Sequence, residues 1–150
     1  MQNQNKSVTS FTVKITSWQR SQEALHAIRE QVFIIEQNVP VELEWEKVDA
    51  SAVHFLATDS ASNPIGCARL LNCGVLSRMA VLAEWRGLGV GKALLAAAIK
   101  ACIQEQYPTI TLSAQTHAIG FYEKSGFKVS SEEYVDAGIS HRDMTLKLDI

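Results

Sequence analysis

The stretch Arg86-Gly87-Leu88-Gly89-Val90-Gly91-Lys92 follows an apolar run, Val75 to Val81, and leads directly into an Ala/Leu-rich segment that reaches about Gln106 before Pro108. A strand that turns within a few residues into a helix needs backbone conformations that side chains resist, and alternate glycines provide them. Without Cβ atoms, Gly87, Gly89 and Gly91 let backbone N–H groups converge on an anion, and the helix N-terminus adds partial positive charge. Arg86 and Lys92 bracket the loop and can pair with phosphate oxygens. A pyrophosphate suits such a loop; the alternative is a tight turn with close helix–strand packing and no ligand. Two known phosphate loops fail. A Walker A loop would need glycine at Arg86 and Ser/Thr at Ala93. The dinucleotide fingerprint would need glycine at Lys92 and an early βαβ unit with a ribose-binding acid.

The 150 residues carry 14 Lys+Arg against 16 Asp+Glu, a formal charge of −2, with 47% apolar and 20% charged residues. This is the balance of a soluble globular domain with one hydrophobic core, so residues 1–150 are expected to form one domain with residues 1–10 as a flexible N-terminus. With no basic surplus, neither a nucleic-acid partner nor an anionic membrane is expected. No apolar run approaches the roughly 20 residues that span a bilayer. Met1 to Ser10 lacks the apolar stretch of a signal peptide, and a cytoplasmic protein is expected. Cys67, Cys73 and Cys102 are odd in number and form no Cys-x-x-Cys, which fits small buried residues in a reducing compartment. His26, His54, His117 and His141 are dispersed without a His-Glu-x-x-His, and no metal is expected.

Along the chain, Phe11–Thr16 reads as a first strand. Ser21 is the expected N-cap of a helix that buries Leu25, Ile28, Val32 and Ile35 and fades near Gln37-Asn38, before Pro40. The segment Val41–Asp49 holds Glu42, Glu44, Glu46 and Asp49 against one Lys47; it is either a solvated loop or a binding element for a cationic substrate. Ala52–Thr58 and Ile65–Leu71 form a hairpin around Ser60–Pro64, and Val75–Val81 is a further strand. After the glycine loop and its helix, Ile110–Ala114 is a short strand and His117–Lys124 a short helix ended by a left-handed Gly126. Phe127–Ser130 and Arg142–Leu148 supply the last strands, with Met144, Leu146 and Leu148 facing inward. This order predicts an α/β class, with helices around a mixed, largely antiparallel sheet.

Two motifs now stand together. Arg86-Gly87-Leu88-Gly89-Val90-Gly91 follows the strand that contains Leu76-Ser77-Arg78-Met79-Ala80-Val81, and Ala118-Ile119-Gly120-Phe121-Tyr122-Glu123-Lys124-Ser125-Gly126-Phe127 lies downstream. In this order and separation they resemble the GNAT superfamily of acetyl-CoA-dependent N-acetyltransferases. The resemblance spans roughly residues 11 to 148 and implies a sheet whose fourth and fifth strands splay apart to form a slot for the cofactor. It further implies that the β-strand Met79-Ala80-Val81 offers its backbone to the pantetheine arm. The N–H groups from Gly87 through Leu88, Gly89, Val90 and Gly91 to Lys92, with Arg86 beside them, would hold the pyrophosphate. A backbone N–H on the fourth strand, that of Val81, would stabilise the oxyanion. Tyr122 matches the tyrosine that protonates the departing sulfur; otherwise it is a packed aromatic beside Phe121 and Phe127.

The same resemblance implies transfer of acetyl from acetyl-CoA to a primary amine of a small molecule or peptide, by direct attack in a ternary complex. A non-catalytic acyl-CoA-sensing module is the alternative. Glu36, at the end of the first helix, would orient an ammonium or accept its proton through water, unless it is a solvated helix-end carboxylate. His54 is either a satisfied sheet histidine or a base, and His141 either a strand-edge histidine or part of the acceptor site. His117 reads as polar decoration at a helix start. Trp45 and Trp85 either wall the acceptor pocket or pack. A homodimer through an end strand is expected from the family.

Overall fold

The computed structural model describes residues 10–149, so the expectation of a flexible segment at residues 1–10 lies almost wholly outside the described residues. The chain forms β1 (Phe11–Thr16), α1 (Trp18–Arg29), a π-helical stretch (Glu30–Glu36), α2 (Val41–Glu44), a 3-10 turn (Lys47–Ala50), β2 (Val53–Asp59), β3 (Pro64–Leu71) and β4 (Val75–Val81). It continues through α3 (Val90–Gln104), β5 (Thr109–Gln115), α4 (Ile119–Glu123), β6 (Lys128–Val129), β7 (Tyr134–Asp136) and β8 (Ile139–Lys147). The eight strands make one sheet in the order β1-β2-β3-β4-β5-β8-β6, with β7 paired to β8. Only β4 and β5 run parallel, so the sheet is mixed and largely antiparallel, as expected.

Helices cover both faces. Strand alternation sends Phe55 and Ala57 toward α3, where they join Val90, Leu94, Leu95 and Ala98 in one core. Leu56 on the opposite face joins Leu25, Ile28 and Val32 of the first helical segment, with Cys67 and Ala80. Burial on both faces explains why β2 and β3 read as nearly continuous apolar runs. Gly66 sets the approach of α3, because a Cβ there would lie 3.0 Å from Val90 Cγ1 and 3.1 Å from Leu94 Cδ1. Among the described residues, no helix is long and apolar enough to cross a membrane.

Several local expectations are corrected. The first helix begins at Trp18, capped by Ser17, whose hydroxyl accepts from the Arg20 N–H. Ser21 instead breaks the helix at φ −126°, and its hydroxyl bonds that of Thr16 at 2.6 Å. Ile35 is 59% exposed rather than buried. The π winding of Glu30–Glu36 changes the number of residues per turn, and the face that follows from Leu25, Ile28 and Val32 no longer includes position 35. Tyr134–Asp136 is a strand that the sequence shows only as part of a loop, turning through Ala137 and Gly138, both at positive φ, into β8. Cys67 and Cys102 are buried, but Cys73 is exposed at the tip of the β3–β4 turn. Gly126 does adopt the expected left-handed conformation, at φ 95°.

The feature that opens the sheet lies in β4. Arg69 pairs with Ser77 and Cys67 with Ala80, so three residues of β3 face four of β4, and Arg78 sits at φ 51° within this bulge. Beside it, β4 pairs with β5 only through Val75–Thr111 and Leu76–Leu112. From Ser77 onward the two strands diverge, as the splay expectation requires.

Candidate active site

The diverging strands wall a cleft of about 390 Å³, bounded by Leu76, Ser77 and Met79 on β4 and Ser113 and Gln115 on β5. The Leu82 N–H is bonded to Ile65 O toward β3, so strand alternation turns the backbone groups of Val81 and Met79 to the open edge. Val81 O confirms that direction by accepting Arg86 Nε at 2.9 Å. Beyond the strand, Trp85 is buried in the core and anchors the chain before it turns. Gly87 and Gly89 adopt φ 77° and 90°, and Gly89 caps the 15-residue α3. A Cβ at either glycine would meet nothing within 4 Å, so the room beside the first N–H groups of α3 is open. Lys92 is exposed there and has no ion pair among the described residues.

Tyr122 closes the cleft from α4. Its ring is held edge-on by Phe121 at 5.0 Å and Phe127 at 5.8 Å, it is 9% exposed, and it lines the cleft. Burial pushes its hydroxyl up to about 12. Gly91 seats this unit, since Phe121 Cζ would lie 3.3 Å from a Cβ at that position.

Arg86 and Glu36 are brought together, but away from Tyr122. The Arg86 guanidinium forks onto the Glu36 carboxylate at 2.6 and 2.7 Å. This pair holds the Glu36 carboxyl below the usual carboxylate range. Glu36 borders a second cavity with Ala27, Ile28 and Leu82, and does not line the cleft.

The acidic segment is neither a solvated loop nor a free cation trap. Arg29, 1% exposed, donates from Nε to Glu44 at 2.7 Å and from Nη1 to Asp49 at 2.8 Å. Arg69, 3% exposed, bonds Asp49 at 3.0 Å and pairs with Glu46 at 2.9 Å; Arg78 on the bulge pairs with Glu44 and Glu46. Trp18 and Trp45 lie against the Arg29 guanidinium, 5.5 and 5.0 Å away, and Trp45 stacks on His26, so it packs rather than walls the cleft. Burial pushes the Glu44 carboxyl above its usual range despite Arg78 and Arg29. Burial also acts upward on Asp49, but Arg29 and Arg69 outweigh it and hold that carboxyl low. His54 is a satisfied sheet histidine: it is 1% exposed and its Nε2 bonds Asp49 O at 2.9 Å.

Sequence reasoning missed the Gln37–Gln115 tie and the strand β7, while His141, left open between a strand edge and the acceptor site, lines the cleft. Gln37 and Gln115 exchange side-chain amide bonds at 2.8 and 3.4 Å, tying the end of the π stretch to β5. The β7–β8 hairpin brings Asp136, Ile139 and His141 to the cleft that Gln37, Leu43 and Glu46 also line.

Residues 6–148 match the acetyltransferase (GNAT) domain family. The chain is 39% identical over 121 residues to the uncharacterized N-acetyltransferase YjcF of Bacillus subtilis, covering 78% of this chain and 86% of that protein. Its fold is similar to the crystal structure of an acyl-CoA N-acyltransferase from Pseudomonas aeruginosa, with TM-score 0.81, 26% identity, and 91% and 99% of the two chains covered. A crystal structure from Bacillus anthracis, in complex with acetyl coenzyme A, shares the fold over 65% of this chain and 63% of its own, with TM-score 0.57 and 24% identity. An open β4 edge, a glycine turn capping α3, and a tyrosine at the fork of the sheet are thus parts of an acyltransferase: the chain belongs to the GNAT acetyltransferase family.

Proposed function

We propose that the protein transfers an acetyl group from acetyl-CoA to a primary amine of a small molecule or peptide, by direct attack in a ternary complex. The observation that carries this reading is the fork between β4 and β5, which leaves one strand edge unpaired beside both the glycine turn and Tyr122. Acetyl-CoA, when bound, supplies a thioester whose thiolate leaves readily. Met79 and Val81 pair their backbone groups with the pantetheine amides as an added strand would, with Ala80 between them directed at β3. The N–H groups from Gly87 to Lys92 take the pyrophosphate, in the room left by the absent Cβ atoms. The N–H of Val81 faces the developing oxyanion. Tyr122 gives its proton to the sulfur. Glu36 serves as the anchor of Arg86, and the pair fastens the mouth of the glycine loop to Val81.

The test is thermal unfolding with and without excess acetyl-CoA, in wild type and in Gly89→Glu. Ligand at 100-fold its dissociation constant adds about 2.7 kcal/mol. For a domain of this size that raises Tm by about 5–10 °C. The expected result is a rise in wild type and none in the folded variant, since a carboxylate there repels the pyrophosphate. An equal rise in both would remove the glycine loop from the binding site, and no rise in either would remove acetyl-CoA.

A further inference from the structure

Transfer to an amine requires that the nitrogen be neutral. An alkyl ammonium with pKa about 10.4 is almost wholly protonated at neutral pH. A group in the cleft must therefore take that proton before attack. The cleft wall offers few such groups. Glu44 and Glu46 are held in ion pairs with Arg29, Arg69 and Arg78. Tyr122 is kept as the acid. Asp136 has no ion pair among the described residues, but it is exposed to solvent.

His141 is built differently. It lies on β8 opposite Gln115, is 9% exposed, and lines the same cleft as Tyr122. Its Nδ1 lies 2.7 Å from Ile139 O, and a carbonyl can only accept, so Nδ1 carries the hydrogen. The neutral ring then has its lone pair on Nε2, which bonds no other described residue. Tyr134 stacks on the imidazole at 5.9 Å and 16°, fixing its plane. A base whose second nitrogen is held by a backbone acceptor and whose face is packed is an oriented base.

Resting on the acetyl-transfer reading above, we propose that His141 is the proton acceptor for the attacking amine. The ammonium N–H proton passes to His141 Nε2, leaving a neutral amine and an imidazolium. The nitrogen lone pair forms the N–C bond to the acetyl carbon while the C–S bond breaks and Tyr122 Oη–H protonates the sulfur. The surplus proton on the new amide nitrogen restores Tyr122, and the imidazolium releases its proton to water. Asp136, on the same wall, favours the approach of the ammonium. Tyr134 of β7 stacks on His141, and Asp136 of β7 and Tyr122 of α4 line the same cleft. The ion-paired Glu44, Glu46 and Arg78 line the same cleft.

The experiment measures kcat against pH for wild type, His141→Gln and His141→Asn with two acceptors. These are an alanine-led tripeptide, whose α-amine has pKa about 7.7–8.0, and Nα-acetyl-lysine amide, whose amine has pKa about 10.4. Wild-type kcat should level off as pH rises, whereas the variants should keep rising about tenfold per unit toward the pKa of the amine. At pH 7 the loss should be about 10²-fold or more for the lysine amide and smaller for the tripeptide. Added imidazole should restore part of the turnover of His141→Ala. Unchanged pH profiles in both variants, with wild type active, would overturn the role of His141 alone. Loss of the acetyl-CoA-dependent rise in Tm in both variants would make His141 a structural support and overturn it too. Wild type that binds acetyl-CoA yet transfers to neither acceptor would overturn the acetyl-transfer reading, and this role with it.

Discussion

Tyr122, the proposed proton donor, keeps its proton because of where it is buried. A phenol pushed up to about 12 stays protonated at every working pH. A free thiol has pKa about 8.5, so proton transfer from such a phenol to a solvated thiolate would run uphill. In the proposed transfer, however, the sulfur would leave beside the buried Tyr122 hydroxyl, where desolvation would raise its proton affinity as it raises that of Tyr122. Because the thiolate leaves readily even without full protonation, Tyr122→Phe should lower kcat by about 10²-fold or less, at the low end of acid–base contributions. The acetyl-CoA-dependent rise in Tm should persist in this variant. Steady-state turnover and thermal unfolding check both halves, and unchanged turnover would remove the acid role. The motif around Tyr122 was legible because its residues are local in sequence. Glu36 was legible only as a carboxylate at a helix end, since its partner Arg86 lies 50 positions away.

At the scale of elements, the acidic stretch after α1 shows how misleading unpaired charge in a sequence can be. Glu44 and Asp49 are each 2% exposed and belong to a buried cluster whose cations come from α1, β3 and the β4 bulge. Arg29 is its centre, reaching Glu44 and Asp49 with three nitrogens. Arg29→Ala leaves two buried carboxylates short of their cation and should destabilise by about 3–5 kcal/mol. That corresponds to a fall in Tm of roughly 10 °C or more, checked by calorimetry. Arg29→Lys should recover only part of the loss, because an ammonium cannot reproduce the fork. Full stability in Arg29→Ala would mean the cluster contributes nothing. The sequence displayed the charges in this segment, but the arginines that neutralise them are scattered over positions 29 to 78, and linear spacing carries no record of them.

Over the whole molecule, the same cluster couples stability to pH through His54. Burial holds this imidazole below its ordinary value of 6.5, so the folded chain keeps it neutral while the unfolded chain protonates. Its contribution is therefore complete above about pH 6.5 and is lost as pH falls toward the lowered folded value, by up to about 1.4 kcal/mol per unit. Asp49 is held below its ordinary value of 3.8, whereas burial raises Glu44 above 4.5, so it is the comparison with His54→Gln that isolates the histidine. Urea unfolding at pH 7.5 and 5.5 should show a smaller loss for His54→Gln than for wild type, and equal losses would exclude the histidine. The sequence by itself determined the order of the elements apart from β7, the glycine turn into α3 and the aromatic unit around Tyr122. All of these follow from hydrophobic period and backbone freedom, which are local properties. Tertiary structure alone decided that one extra residue at Arg78 ends the β4–β5 ladder, and that Glu36 faces Arg86. It also decided that a short strand, Tyr134–Asp136, pairs with β8 beside His141, which lines the cleft. These depend on pairings between residues far apart in the chain, where a bulge or a three-residue strand leaves almost no periodic trace.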